Sequence, residues 1–147
     1  MNLRPVLAVV AAGGVLGALG RHAVTAAWPA PPDGFPWATF AVNVSGCLLI
    51  GALMVLVARV WAHRPLARPF LGVGVLGGYT TFSAYAVDTA RLVERGELGT
   101  AWAYLGGTLV AAVLAVLAGG ALAEWTVRRA PARPAARPGS PAAEEAA

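Results

Sequence analysis

Gly77-Gly78-Tyr79-Thr80-Thr81-Phe82-Ser83 interrupts an apolar run that extends from Pro69 to Val87. Two adjacent glycines followed by three hydroxyl residues make a poor continuous helix. The surrounding run is long enough to cross a bilayer. Interrupted helix at membrane depth is tolerated only where it is buried in protein or lines a polar cavity. We therefore predict a broken membrane helix with an ion or substrate site at the break.

The overall composition is that of a membrane protein. Of the 147 residues, 58% are hydrophobic and 12% are charged, whereas soluble domains carry about 25% charged residues. All eleven basic residues are arginines, and they flank the apolar stretches as topology signals do. We therefore expect a lipid bilayer, and not nucleic acid, as the partner of this surface.

Four apolar stretches are long enough to span a bilayer, which takes about 20 residues per helix. They are Leu3–Ala27, Phe35–Val60, Pro69–Leu92 and Leu98–Trp125. The predicted fold is an all-α integral membrane protein with four transmembrane helices, the third of them broken. Residues 1–125 form the membrane domain in this interpretation. The tail, residues 126–147, is rich in Arg, Pro and Ala and is predicted to be disordered.

The first span has a rival interpretation as a signal peptide, because Arg4 precedes an apolar run that ends in small residues. The run is long for such a signal, which favours a spanning helix. Gly13 and Gly17 form a small-xxx-small pair that predicts close helix packing. Arg21, near the end of the span, either snorkels to the membrane surface or lines a wet vestibule.

Two polar side chains lie inside otherwise apolar spans, Asn43 in the second and Thr108 in the fourth. An amide in hydrocarbon is costly without a partner. Asn43 therefore either bonds a neighbouring helix or directs its N–H groups at a bound species, and it shares its helix face with Thr39 and Gly46. For Thr108, a bond to a carbonyl of its own helix is the common outcome, and the spacing alone favours it.

The break creates two helix ends inside the membrane, if the half-helices run from about Pro69 to Gly77 and from Phe82 to Leu92. Thr80 and Thr81 are both able to cap the second half-helix. Its N-terminus would favour an anion, and the carbonyls that end the first half-helix would favour a hard cation.

Phe82 and Tyr85 share a helix face, with Asp88 three residues further on. Such rings either pack or face lipid, or they aim their positive edges into a path for an anion. Asp88 is expected to pair with Arg91. No span carries an acidic residue at its centre, which argues against a proton-coupled transporter.

Groups for enzymatic chemistry are not evident in the sequence. Ser45 and Ser83 have no His or Lys base beside them, and neither a phosphate-binding loop nor paired carboxylates appear. The protein is therefore predicted not to be an enzyme. The single cysteine, Cys47, lies in an apolar span and is interpreted as a packing residue.

Taken together, these stretches resemble the Fluc (CrcB) family of small fluoride channels. The similar segments are residues 13–21, 39–47, 77–83 and 104–108, one in each span. The resemblance implies an antiparallel dimer of four-helix subunits in the cell membrane, with two fluoride paths along the interface. It also implies a structural sodium ion at the dimer centre.

The resemblance assigns roles to individual residues. Gly77 and Thr80 match the positions whose backbone carbonyls hold the sodium ion. Asn43 matches the pore asparagine and Phe82 the first pore phenylalanine. Thr108 matches the span-four hydroxyl, and Arg21 matches the span-one arginine of the vestibule. Thr81 and Ser83 are further candidate donors to the ion. Tyr85 stands where the family has a second phenylalanine, and its hydroxyl either bonds the ion or blocks the path. Asp88 replaces the usual Glu.

The arginines are distributed unequally between the two membrane sides. With four spans, the N-terminus, the middle loop and the tail share one side. That side carries eight arginines, Arg4, Arg59, Arg64, Arg68, Arg128, Arg129, Arg133 and Arg137, and the other carries three, Arg21, Arg91 and Arg95. Dual topology should show little bias. We hypothesise that the N-terminus stays inside and that the subunit pairs with an oppositely oriented homologue, the alternative being a homodimer.

The sequence is thus interpreted as a fluoride-selective channel subunit that lets fluoride leave the cytoplasm passively and limits its toxicity. One alternative is a non-conducting or asymmetric partner in a heterodimeric fluoride channel. A small coupled transporter is the less favoured alternative.

Overall fold

The computed structural model describes residues 3–29 and 34–129, and every regular element in these ranges is helical. In chain order the elements are α1 (Leu3–Ala27), α2 (Trp37–Arg59), the π-helix π1 (Arg68–Leu76), α3 (Gly77–Tyr79), α4 (Phe82–Glu94) and α5 (Leu98–Arg129). The predicted start of the tail at residue 126 is early, because α5 continues through Arg129. The rest of the predicted tail, residues 130–147, lies outside the described ranges.

Four helical stretches are long and apolar enough to cross a membrane, which confirms the four-span prediction. They are Leu3–Ala27, Trp37–Arg59, Arg68–Glu94 and Leu98–Arg129. The largest difference from the predicted bounds is the four additional residues at the end of α5. That last turn is basic and carries Arg128 and Arg129, which suits the negative end of the helix macrodipole.

The third span is broken, as predicted, but the break is shorter than the four residues, 78–81, that the predicted half-helices leave between them. Gly77 and Gly78 belong to the short helix α3, and only Thr80 and Thr81 are extended. The glycine pair therefore does not itself interrupt the helix. Gly78 instead lies against the backbone of Gly14 on α1, where a Cβ would collide with main-chain atoms.

Glycines bring α1 into backbone contact with the third span. Gly13 and Gly17 are the buried residues of α1. A Cβ on Gly13 would meet the carbonyl of Phe70, and one on Gly17 would meet the carbonyl of Val75. The close packing predicted for this pair is confirmed. Such contact along its length identifies α1 as a packed span, which a cleaved signal peptide would not be.

Helices α2 and α5 approach each other in the same way. Gly51 of α2 faces the carbonyl of Val116, and Gly119 of α5 faces the carbonyl of Leu48. Where both helices end, Glu124 accepts hydrogen bonds from Arg59 at 2.7 Å and from Arg128 at 2.8 Å. The two helices are therefore in close contact along one side, and the salt bridge between Arg59 and Glu124 joins their ends.

A cluster of buried apolar residues lies at the opposite end of the bundle. It is built around Leu92, Ala101 and Tyr104, with Phe35 and Phe40 packed against it. Large apolar side chains elsewhere remain exposed on the single chain, as expected for surfaces that face lipid or another subunit. The functional interest therefore lies where polar groups interrupt this apolar surface.

Candidate functional site

The break in the third span is formed by two consecutive extended residues. Helical pairing ends where the N–H of Thr80 donates to the Leu76 carbonyl at 3.0 Å. The backbone ψ angles of Thr80 and Thr81 are then 155° and 120°. Thr81 caps α4, because its hydroxyl accepts from the N–H of Ala84 at 3.1 Å. Thr80 does not cap, since its hydroxyl donates to the Leu76 carbonyl at 2.9 Å.

Asn43 of α2 is hydrogen-bonded to the main chain of the break. Its Nδ2 donates to the carbonyl of Thr81 at 3.0 Å, and its Oδ1 accepts from the N–H of Thr81 at 2.9 Å. The side chain therefore bonds a neighbouring helix, which was one of its two predicted roles. An amide nitrogen carries two hydrogens, so one N–H of Asn43 is left for another acceptor.

The break also releases carbonyls of the first half-helix. In a continuous helix the Gly77 carbonyl would accept the N–H of Thr81, but that N–H donates to Asn43 instead. The next carbonyl, that of Gly78, accepts from Nε of Arg21 at 3.3 Å. Arg21 is therefore fixed against the end of the broken helix, and its contact differs from simple snorkelling to the membrane surface.

A cavity of about 420 Å³ opens beside the break, and we refer to it as the notch. Its walls come from α2, π1, α3, α4 and α5, together with the two extended residues. Of the nine residues predicted for the site, seven line it: Asn43, Gly77, Thr80, Thr81, Phe82, Tyr85 and Thr108. The remaining walls are largely apolar and include Cys47, Ile50 and Ala112.

The other two predicted residues lie beside the notch and not on its walls. Arg21 contacts the opposite face of the third span through Gly78. Ser83 places its hydroxyl 3.2 Å from that of Thr81, so the two can exchange a hydrogen bond. Ser83 is exposed on the single chain. It thus contributes to the polarity of the helix start without entering the cavity.

Aromatic rings form the wall of the notch on α4. The Phe82 side chain is 80% exposed on the single chain. Its ring centroid lies 5.8 Å from that of Tyr85, which in turn lies 5.2 Å from that of Tyr104 on α5. The Tyr85 hydroxyl donates to the Leu105 carbonyl at 2.7 Å. The hydrogen of this hydroxyl is therefore donated within the protein.

One buried hydroxyl on α5 has no hydrogen-bond partner among the described residues. It belongs to Thr108, which is 5% exposed. The bond from Thr108 to a carbonyl of its own helix, favoured by spacing alone, is therefore not made. A buried donor without a partner costs about 1–3 kcal/mol. Such groups are candidates for binding a species that the protein does not itself supply.

A group of polar side chains continues from the notch, and the contact that joins α2 to α4 within it was not predicted from the sequence. The Thr39 hydroxyl donates to Oδ2 of Asp88 at 2.8 Å, and Asp88 pairs with Arg91 at 3.7 Å, as predicted for that pair. Thr39 precedes Asn43 by one helical turn, just as Tyr104 precedes Thr108. These equal spacings on two facing helices were the feature of the sequence that could have predicted the polar group.

The chemistry of the notch suits ions and not a bulky substrate. Asn43 and Thr108 both line the notch. Asn43 has a spare N–H and Thr108 has a buried hydroxyl without a partner, and an anion binds to such donors. Gly77 and Thr80 line the same cavity, and main-chain carbonyl oxygens are ligands of the kind that hard cations prefer.

The comparisons with known proteins agree on one family. Residues 8–120 match the family described as "CrcB-like protein, Camphor Resistance (CrcB)". The chain is 49% identical over 120 residues to "Fluoride-specific ion channel FluC 2" of Nocardia farcinica, covering 82% of this chain and 86% of that protein.

Two further relatives give the same result. The chain is 52% identical over 125 residues to "Fluoride-specific ion channel FluC 1" of Streptomyces coelicolor, covering 85% of this chain and 79% of the relative. It is 48% identical over 113 residues to "Fluoride-specific ion channel FluC" of Nitrobacter winogradskyi, covering 75% and 88%. The similarity therefore extends over nearly the whole membrane part of the chain.

Proposed function

Because the chain belongs to the CrcB-like family, we propose that the notch at its broken third span forms part of a fluoride pathway. The chain is a multi-pass membrane protein and a fluoride channel, not an enzyme. As a channel it lets fluoride leave the cytoplasm passively, down the electrochemical gradient. The observation that carries the assignment of the pathway is the convergence of seven predicted site residues on one cavity.

Fluoride must find donors in the pathway as it sheds water. Asn43 offers its spare N–H, and Thr108 offers a hydroxyl that is buried and unpartnered. Both donors are fixed by their helices before an ion arrives, so binding requires little reorganisation. The edges of the Phe82 and Tyr85 rings would add a weakly positive wall without a fixed charge. Thr81 is less available, because its hydroxyl already serves as the helix cap.

We propose that a sodium ion binds the main-chain carbonyls of Gly77 and Thr80. These carbonyls suit the ion because the N–H that would pair with Gly77 in a helix is taken by Asn43. Bound sodium would supply a fixed positive charge at the negative end of the first half-helix. Purified protein should therefore melt at a higher temperature in sodium chloride than in N-methylglucamine chloride. Equal melting temperatures would argue against the ion.

We further propose that the channel is a dimer of oppositely oriented subunits. The notch is open on one side, and Phe82 is 80% exposed there. A second subunit would close the pathway and cover this ring. Since the span count predicts eight of the eleven arginines on one side, we favour a separate homologue as the partner, with this subunit inserted N-terminus inside. A homodimer of dual topology is the alternative.

Fluoride efflux from liposomes tests the function directly. Vesicles loaded with potassium fluoride and reconstituted with this chain alone should release fluoride when a potassium ionophore is added. Efflux should not need an opposing proton gradient. If this chain alone is silent but an oppositely oriented homologue restores efflux, the heterodimer is supported. Tags on both termini provide the topology control: a large outside fraction would remove the support for a fixed orientation.

A further inference from the structure

We infer that Tyr85 is a positioning residue for ion selectivity, and that its hydroxyl acts as a tether that fixes its ring in the pathway wall. The inference rests on the proposed pathway through the notch. The observation is the 2.7 Å hydrogen bond from the Tyr85 hydroxyl to the carbonyl of Leu105.

The hydroxyl cannot serve an anion while this bond is made. A tyrosine hydroxyl has one hydrogen, and here that hydrogen is donated to a carbonyl. The lone pairs that remain on the oxygen would repel fluoride. Accepting this bond does not disrupt α5. The Leu105 carbonyl has two lone pairs, so it can also accept the N–H of Leu109 within the helix. Tyr85 therefore contributes its ring to the notch, and not a donor.

The tether fixes the side chain at both ends. The Cβ of Tyr85 is carried by α4, and its hydroxyl is bound to α5, so rotation about χ1 would break the hydrogen bond. The ring also lies against Tyr104, with centroids 5.2 Å apart. Phe82 next to it has no polar group to anchor it and is 80% exposed on the single chain. One ring of the aromatic wall is thus anchored, and its neighbour is free to adjust.

A fixed ring holds the width of the pathway constant. The hydrogen bond ties α4 to α5 on the same wall of the notch, so losing it frees both the ring and the spacing of the two helices. A wall that can yield admits a larger anion more readily than a rigid one does. The tether should therefore matter more for rejecting chloride than for passing fluoride.

The test compares two hydroxyl deletions in reconstituted vesicles. Tyr85→Phe removes the tether and keeps the ring. Tyr79→Phe is the matched control, because it removes a hydroxyl that lies 3.1 Å from that of Ser45, away from the notch walls. Fluoride and chloride efflux are measured for each variant beside the unmodified chain, with the homologous partner included if conduction requires it.

We expect Tyr85→Phe to keep fluoride efflux within about twofold and to raise chloride efflux by about threefold to tenfold, the range that the loss of one neutral hydrogen bond allows. Tyr79→Phe should change neither ion. A large loss of fluoride efflux in Tyr85→Phe alone would show that the hydroxyl serves the ion, which overturns the inference. Unchanged efflux of both ions would overturn it as well.

A measurement that does not depend on conduction separates this inference from the proposed function. If the unmodified protein releases no fluoride under any condition, the proposed function fails. The tether is then judged by the nuclear magnetic resonance order parameter of the side chain at position 85. Tyrosine should be rigid there and phenylalanine more mobile, whereas equal mobility of the two would refute the tether.

Discussion

Asn43 makes two hydrogen bonds to the main chain of Thr81. Its Nδ2 donates to the carbonyl oxygen at 3.0 Å, and its Oδ1 accepts from the amide nitrogen at 2.9 Å. These bonds replace the helical hydrogen bonds that the extended backbone gives up. An open break inside a membrane span would otherwise leave main-chain groups unsatisfied. One side chain thus stabilises the break and presents a spare N–H to the notch.

Asn43→Ala should destabilise the protein by about 1–3 kcal/mol, because both main-chain groups of Thr81 lose a buried partner. We also expect fluoride efflux to fall at least about tenfold, since the spare N–H is lost as well. Thermal unfolding in detergent and liposome efflux measure the two effects. Ser45→Ala is the control, because it deletes a side-chain bond on the same helix, outside the notch walls. Equal stability of the two variants would contradict the role of Asn43.

Thr81→Ala should cost about 1 kcal/mol of stability, because the cap on the N–H of Ala84 is removed. Thr81→Ser keeps the hydroxyl and should recover most of that loss. The melting temperatures of the two variants provide the comparison. If serine and alanine destabilise equally, the methyl packing of Thr81 matters and the cap does not.

Gly17→Ala should be strongly destabilising, because the added Cβ would collide with the main chain of Val75 in the third span. Overpacking of this kind costs about 1–3 kcal/mol. Gly14→Ala, on the same helix, is the matched control, since nothing lies within 4 Å of the Cβ that it would add. Efflux should fall together with stability in Gly17→Ala only. A similar effect of both substitutions would mean that glycine flexibility, and not contact, is what α1 needs.

The positions of the spans and the residues around the break could be predicted from the sequence because apolar length and buried polarity are local signals. What could not be predicted depends on which partner each group finds in three dimensions. The glycine pair at Gly77 was expected to interrupt the helix, but both residues are helical, and Gly78 packs against the main chain of Gly14 on α1. Likewise, Arg21 binds a carbonyl released by the break, and no spacing in the sequence encodes that contact.

Hydroxyl groups were the hardest to assign for the same reason. A threonine inside a helix usually bonds a carbonyl one turn back, as Thr89 does with the carbonyl of Tyr85. This expectation is wrong for Thr108, whose hydroxyl is buried and makes no hydrogen bond with the described residues. Tyr85 could not be resolved from sequence either, because its acceptor is a main-chain atom of α5. Side-chain type alone did not distinguish these outcomes.

Thr108→Val separates function from stability more sharply than any other substitution in the notch. Valine has the shape of threonine but no hydroxyl, and the hydroxyl is buried and unpartnered in the folded chain. Removing it should therefore leave stability unchanged or raise it by up to about 1–3 kcal/mol. Fluoride efflux should nevertheless fall, because the ion loses a fixed donor.

Thr108→Ser completes this test, because it restores the hydroxyl and deletes a methyl group. It should recover efflux while being less stable than the valine variant. A purely structural role for Thr108 predicts the opposite ranking, with valine losing stability and efflux together. If melting and efflux follow that ranking, the hydroxyl has a partner in the folded protein and does not serve the ion.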